Sequence, residues 1–219
     1  MLGTRRMVQM AALAFAFVAI PAQAVGPEGA IPASGVIEFD ILRNGSPFGA
    51  ERIDFRRDGD RLIVDIKIDM EYRLLIPLFR YSHRSREVWK DGRLIQIDTT
   101  TDDDGEKFFV TGRATPRGFA VKSTSGEFTM PADVVPGSYW NEDMLSGRAI
   151  LNTQAGKLVD SQVRKLPPEP VVARGQQVTG RVYDVTGDFN LRLWYGDRGD
   201  WVKLRFTTRG SEIEYVLRP

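Results

Sequence analysis

The chain has no cysteine, one histidine, no surplus of either charge and no apolar run beyond about ten residues. Without cysteine there are no disulfides, thiolate metal centres or thiol-linked lipid anchors, so stability must come from core burial. A lone histidine cannot build a zinc site of the usual nitrogen and sulfur ligands. Lys and Arg number 30 against 29 Asp and Glu, and this balance argues against nucleic-acid binding, which needs a clustered basic surface. The longest apolar run, Ala11 to Ile20, is too short for a membrane-spanning helix, which needs about twenty residues.

That run has a different meaning. Arg5 and Arg6 precede it, and Pro21 with Ala22-Gln23-Ala24 comes after it, the arrangement of a cleavable signal peptide. Residues 1–24 are therefore expected to be a leader, and residues 25–219 a single all-β domain in the periplasm with no transmembrane segment. Removing Arg5 and Arg6 leaves the remainder close to neutral.

Alternation of apolar and polar residues dominates the chain beyond Ala24. Leu62, Val64, Ile66, Ile68, Met70 and Tyr72 fall on one side of an extended chain, with Asp65, Lys67, Asp69 and Glu71 on the other, which is a strand buried on one face. The same period recurs in Ile37/Phe39/Ile41, Ile53/Phe55, Phe119/Val121, Phe189/Leu191/Leu193, Val202/Leu204/Phe206 and Ile213/Tyr215/Leu217. Asn44-Gly45, Asp58-Gly59, Asp91-Gly92 and Asp104-Gly105 are hairpin signals, because tight two-residue turns need positive φ. The pattern predicts an all-β antiparallel meander of about ten to twelve strands, forming a barrel, half-barrel or β-roll, with a short helical or loop plug. Pro167, Pro168 and Pro170 predict a stiff connector rather than a strand, since proline cannot donate to a ladder.

Two segments offer candidate binding residues. In RYSHRSREVW, an extended chain places Tyr81, His83, Ser85, Glu87 and Trp89 on one face. These are either polar groups in a ligand cavity or a satisfied core network. In PADVVPGSYWNEDML, Pro131 and Pro136 prevent pairing and Asn141 is placed to cap one helical turn, so that Tyr139, Trp140 and Asn141 form a plug or a lid over an opening. A third feature, Trp194 and Trp201 with Arg192 and Lys203, reads either as an exposed aromatic and cationic patch or as structural cross-strand packing. Asp102-Asp103-Asp104-Gly105-Glu106 fails the calcium-loop register and reads as a hairpin tip.

No catalytic constellation is present. His83 and Ser85 on one strand point in parallel, and no Gly-x-Ser-x-Gly elbow occurs. No catalytic residue, metal site or cofactor is therefore assigned.

The set RYSHRSREVWKDGRL, GSYWN, LNTQAGKL, FNLRLWY and WVKLRF resembles the domain-of-unknown-function 6134 family of exported bacterial proteins. The resemblance implies a β-rich exported domain and brings no activity. The domain is distantly similar to periplasmic β-roll and half-barrel domains, some of whose architectural relatives hold lipid chains. The functional expectation is a non-enzymatic periplasmic module holding an apolar or amphipathic, lipid-like envelope ligand in a concave sheet. The alternatives are an envelope structural or interaction protein with a filled core that meets a protein partner, and an envelope hydrolase using His83.

Overall fold

The computed structural model describes residues 27–73 and 77–219. The leader expected at residues 1–24 lies outside the described residues. After a 3₁₀ turn at Pro27–Ala30 the chain runs through eight strands in succession: β1 (Val36–Arg43), β2 (Ser46–Asp58), β3 (Arg61–Arg73), β4 (Pro77–Lys90), β5 (Arg93–Asp103), β6 (Glu106–Thr115), β7 (Gly118–Ser123) and β8 (Gly126–Met130). An irregular stretch comes next, holding the two-residue strands β9 (Val135–Pro136), β10 (Ile150–Leu151) and β11 (Leu158–Val159) and a 3₁₀ turn at Glu142–Leu145. Five more strands complete the chain: β12 (Ser161–Ala173), β13 (Gln176–Gly187), β14 (Leu191–Tyr195), β15 (Trp201–Thr208) and β16 (Ser211–Leu217).

Thirteen of these strands form one antiparallel sheet in the order β12-β13-β14-β15-β16-β1-β2-β3-β4-β5-β6-β7-β8. The last strand pairs with the first, so the two runs of hairpins join edge to edge, Phe39 facing Leu217 and Ile41 facing Tyr215. The sheet is not closed, because β12 and β8 remain its edges. Two-residue turns set the register. At Asn44-Gly45 φ is +50° and +78°, and at Asp91-Gly92 it is +49° and +70°, the pair of left-handed residues that a tight hairpin of this hand requires.

The count exceeds the expected ten to twelve partly because the prolines do not exclude a strand. β12 carries Pro167, Pro168 and Pro170, and it tolerates them because it is an edge strand whose register slips between Leu166 and Glu169. At an edge and a bulge the missing N–H costs no ladder bond.

The sheet curls strongly. Tyr139 and Trp140 are consecutive, yet the Tyr139 ring lies 5.7 Å from Trp201 on β15 and the Trp140 ring 5.5 Å from Trp89 on β4. Those strands are five places apart, about 24 Å in a flat sheet at ~4.8 Å per strand. Only a sheet wrapped around residues 131–160 lets two adjacent side chains touch both. The wrapped face is the core, with Phe39, Ile53, Val64, Ile97, Phe119, Leu193 and Trp201 all buried. The outer face carries exposed ion pairs such as Arg86–Asp65 and Arg113–Asp98, which stabilise little individually.

Candidate functional site

Residues 131–160 fill one half of the wrapped face. Val135 and Pro136 of β9 pair with Ile150 and Leu151 of β10, and all four are buried together with Val134. Asn141 caps the 3₁₀ turn, its Oδ1 accepting from the Asp143 N–H at 3.0 Å. Trp140 is fully buried, edge-on to Phe55 and Trp89. Beneath it sits the Glu87 carboxylate, whose Oε2 accepts from the indole N–H of Trp89 at 2.9 Å and of Trp140 at 3.0 Å. Glu87 Oε1 has no well-formed hydrogen bond, nor does the hydroxyl of neighbouring Ser138. Burial pushes the Glu87 pKa up to about 7, against the lowering pull of Ser138, Trp89 and Trp140.

The other half of the wrapped face is not filled. It holds a cavity of about 440 Å³, within the range of small-molecule sites. Ile66, Ile68 and Met70 of β3 and Leu204, Phe206 and Ile213 across from them form apolar walls. The mouth lies where hairpin ends meet. Phe48 and Phe79 stack there at 5.9 Å, Arg43 lies over the Tyr72 ring at 4.4 Å, and Arg209 lies over Phe79 at 5.2 Å. Arg209 also reaches Asp103 at 3.9 Å.

Polar groups gather at the inner end. Glu51 of β2 lines the cavity, is 2% exposed, and its carboxyl makes no hydrogen bond or ion pair among the described residues. Burial, with the Glu87 charge second, holds its pKa well above the usual carboxylate range. Tyr139 and Tyr215 line the same space, and burial, with the nearby Glu51 carboxyl second, raises both phenols. His83 Nδ1 is 2.8 Å from the Thr101 hydroxyl, so Nε2 is the uncommitted ring nitrogen. Burial, with Arg84 second, lowers the His83 pKa to about 4, and the ring is neutral at pH 7. Tyr139 adopts φ +63°, a strained state for a bulky residue that persists where surroundings enforce it. Its carbonyl accepts from the Tyr195 hydroxyl at 2.6 Å.

The candidate residues read from sequence therefore divide. Tyr81, His83 and Tyr139 line the cavity; Ser85, Glu87, Trp89, Trp140 and Asn141 do not. Those five are buried in the filled half or behind the wall, because residues 131–160 plug that half of the face and exclude a ligand from it. The Tyr81 hydroxyl donates to Gln154 and the Thr99 hydroxyl to the Thr153 carbonyl, tying the plug to the sheet.

The exposed tryptophan patch is also corrected. Trp194 pairs with Lys203, but Tyr195 pairs with Trp201, so the register slips by one residue between them and the two indoles leave on opposite faces. Trp201 enters the core, 4.2 Å from Phe39. Trp194 stays on the outer face with Arg192, Lys203 and Arg205 within 6.0 Å of its ring. It is nevertheless only 2% exposed, because β12 and β13 fold over it and Glu169 accepts from its indole at 2.8 Å.

Glu51, Tyr215, Arg43 and Arg209 escaped selection as site residues. Glu51 stands two residues before Ile53 on its inward face, so an acidic residue interrupting the apolar period was the available signal. Among the described residues no acidic or histidine cluster is arranged to hold a metal, and no helix is long and apolar enough to cross a membrane.

Comparison with known proteins agrees with this architecture. A crystal structure of a β-barrel-like protein of domain-of-unknown-function family DUF1849 from Brucella abortus superposes with a TM-score of 0.58, at 11% identity over 83% of this chain and 94% of that one. At that identity the likeness is one of fold. No curated protein matches the sequence. The model of the domain of unknown function DUF6134 matches residues 39–218, and the chain belongs to that family.

Proposed function

We propose that the protein is a periplasmic, non-enzymatic binding module that holds an amphipathic, lipid-like molecule in the cavity of its curled sheet. One observation carries this reading: a 440 Å³ space with apolar walls stays open beside a plug that fills the rest of the same face. A protein that needed only a filled core would gain by closing it, since empty apolar volume destabilises. The single histidine supports binding over hydrolysis, because its ring is neutral and tied to Thr101, with no acid hydrogen-bonded to it among the described residues. Arg5, Arg6 and the apolar run before Ala24 support export.

Native mass spectrometry of protein taken gently from a periplasmic extract tests the reading. A bound lipid-like mass, displaceable by N-phenylnaphthylamine, is the expected result. Clean apoprotein that fails to take up that probe would instead favour an envelope interaction protein.

A further inference from the structure

The inner end of the cavity is poorly suited to a plain hydrocarbon tail. A saturated chain pushed inward would meet the Glu51 carboxyl, the His83 ring and the Tyr139 and Tyr215 rings. It would leave the carboxyl without a partner in a dry space, which is costly. Glu51 has no hydrogen-bond or ion-pair partner among the described residues either, and its side chain is almost wholly enclosed. Buried polar groups left in that state call for an explanation, and a bound molecule is one.

The rim supplies the opposite chemistry. Arg43 continues the inward face of β1 after Ile37, Phe39 and Ile41, and its guanidinium lies on the Tyr72 ring with no ion pair among the described residues. Arg209 lines the same cavity, held by a 3.9 Å ion pair to Asp103, which lines it too with Asp104. Glu51 faces Phe39 across the β1–β2 ladder, and Phe39 is four residues from Arg43. At ~3.4 Å per residue the two polar ends stand about 14 Å apart along the strand, which suits a chain of decanoic-acid length.

We propose that the cavity selects an amphipathic chain bound head outward, with an anionic head at Arg43 and Arg209 and an uncharged oxygen function, a hydroxyl or carbonyl, hydrogen-bonded by Glu51 at the inner end. This rests on the reading of the cavity as a binding site and names the class of ligand. The inner groups favour a neutral partner over a cation. Glu87, a second carboxyl, opposes ionisation of Glu51, which burial alone already disfavours. A neutral carboxyl offers both a donor and an acceptor, and His83 Nε2 adds one further hydrogen-bonding position.

The test measures displacement of N-phenylnaphthylamine by decanoic acid, ω-hydroxydecanoic acid and ω-aminodecanoic acid, on the full chain and on Glu51→Leu and Glu51→Gln. The hydroxy acid should bind at least about tenfold more tightly than decanoic acid to the unmodified protein. Glu51→Gln should keep most of that preference, and Glu51→Leu should reverse it. Glu51→Leu should melt no lower than the parent, since it removes an unpaired buried carboxyl, so the reversal cannot be ascribed to misfolding. Decanoic acid binding tightest, with Glu51→Leu indifferent, overturns this proposal while leaving the binding reading intact. Tightest binding of the amino acid, lost in Glu51→Gln, overturns it in favour of a cation site. Failure of the fluorescent probe itself to enter overturns both.

Discussion

Replacing His83 or Glu87 should reshape the pH dependence of stability in opposite directions. The His83 pKa falls from 6.5 to about 4 on folding, so the unfolded chain binds the proton that the folded state refuses. Its contribution is complete above pH 6.5 and is lost as pH falls from 6.5 through 4. The Glu87 pKa rises from 4.5 to about 7. Its contribution is complete below pH 4.5 and is lost as pH rises from 4.5 through 7. At ~1.4 kcal/mol per pH unit each effect amounts to about 3 kcal/mol. Between pH 4.5 and 6.5 the two slopes oppose, and the parent protein should be nearly level there. In His83→Gln the carboxyl slope stands alone, and stability should fall by about 3 kcal/mol from pH 4.5 to 7. In Glu87→Gln, whose amide oxygen still accepts from both indoles, stability should rise by about 3 kcal/mol from pH 4 to 6.5 and then hold more level than the parent. Glu51, also raised by burial, would add a decline of its own from pH 4.5 upward, so parent and variants are compared in a Glu51→Gln background, where the slopes above hold. Urea titrations at half-unit steps from pH 4 to 8 measure this directly. Curves for the two variants that run parallel to the parent would falsify the assignment of these groups as the opposed buried pair.

Four further substitutions, at three positions, probe the packing and one turn. Trp140→Ala should cost about 3–5 kcal/mol in urea unfolding, whereas Trp140→Phe, which removes the N–H that Glu87 accepts, should cost about 1–3 kcal/mol. Gly112→Ala would place a Cβ 2.3 Å from Phe119 Cε1 and 2.8 Å from Ile97 Cγ2, and overpacking of that kind should lower stability by about 1–3 kcal/mol; an unchanged melting temperature would refute the contact. Arg174 is exposed with φ +53° ahead of Gly175 at +71°, so Arg174→Asn should raise stability by about 0.5 kcal/mol in a thermal melt, asparagine being the better residue there.

The alternation of β3 and the Asn-Gly and Asp-Gly turns made most of the sheet legible, since each names a buried face and a reversal without any tertiary knowledge. The hairpins at Arg174-Gly175 and Arg209-Gly210 were not legible, because an arginine in a left-handed position carries no turn signal of its own. The prolines of β12 misled for a related reason: their cost depends on whether the strand is an edge, and strand order is a property of the assembled sheet. The tryptophans show the limit most sharply. A one-residue slip between Trp194 and Tyr195 sends Trp201 to the core, and nothing local in Trp194–Trp201 announces a bulge. Similarly, Tyr81 to Trp89 share one face as the pattern requires, but whether that face meets a cavity or the plug changes between His83 and Ser85. That boundary is set by where residues 131–160 lie, some fifty residues further on.

The plug and the cavity explain one another. Trp140, Met144, Val135 and Leu151 bury a continuous apolar cluster against the sheet, and this seals the Glu87 end with two indole donors on one carboxylate oxygen. At the other end the same wrapped face presents Glu51, His83 and Tyr215, which hydrocarbon side chains could cover only by stranding polar groups. Collapse into that space is therefore unfavourable even though its walls are apolar. Tyr139 stands at the border. Its strained backbone is held by the Tyr195 hydroxyl, while its ring packs between Trp201 and Phe189 and faces the open volume. A plug that stops at Tyr139 leaves the Glu51 carboxyl at the cavity wall with no partner among the described residues, and that unfilled end is where an incoming molecule would find both an apolar wall and a hydrogen-bond partner.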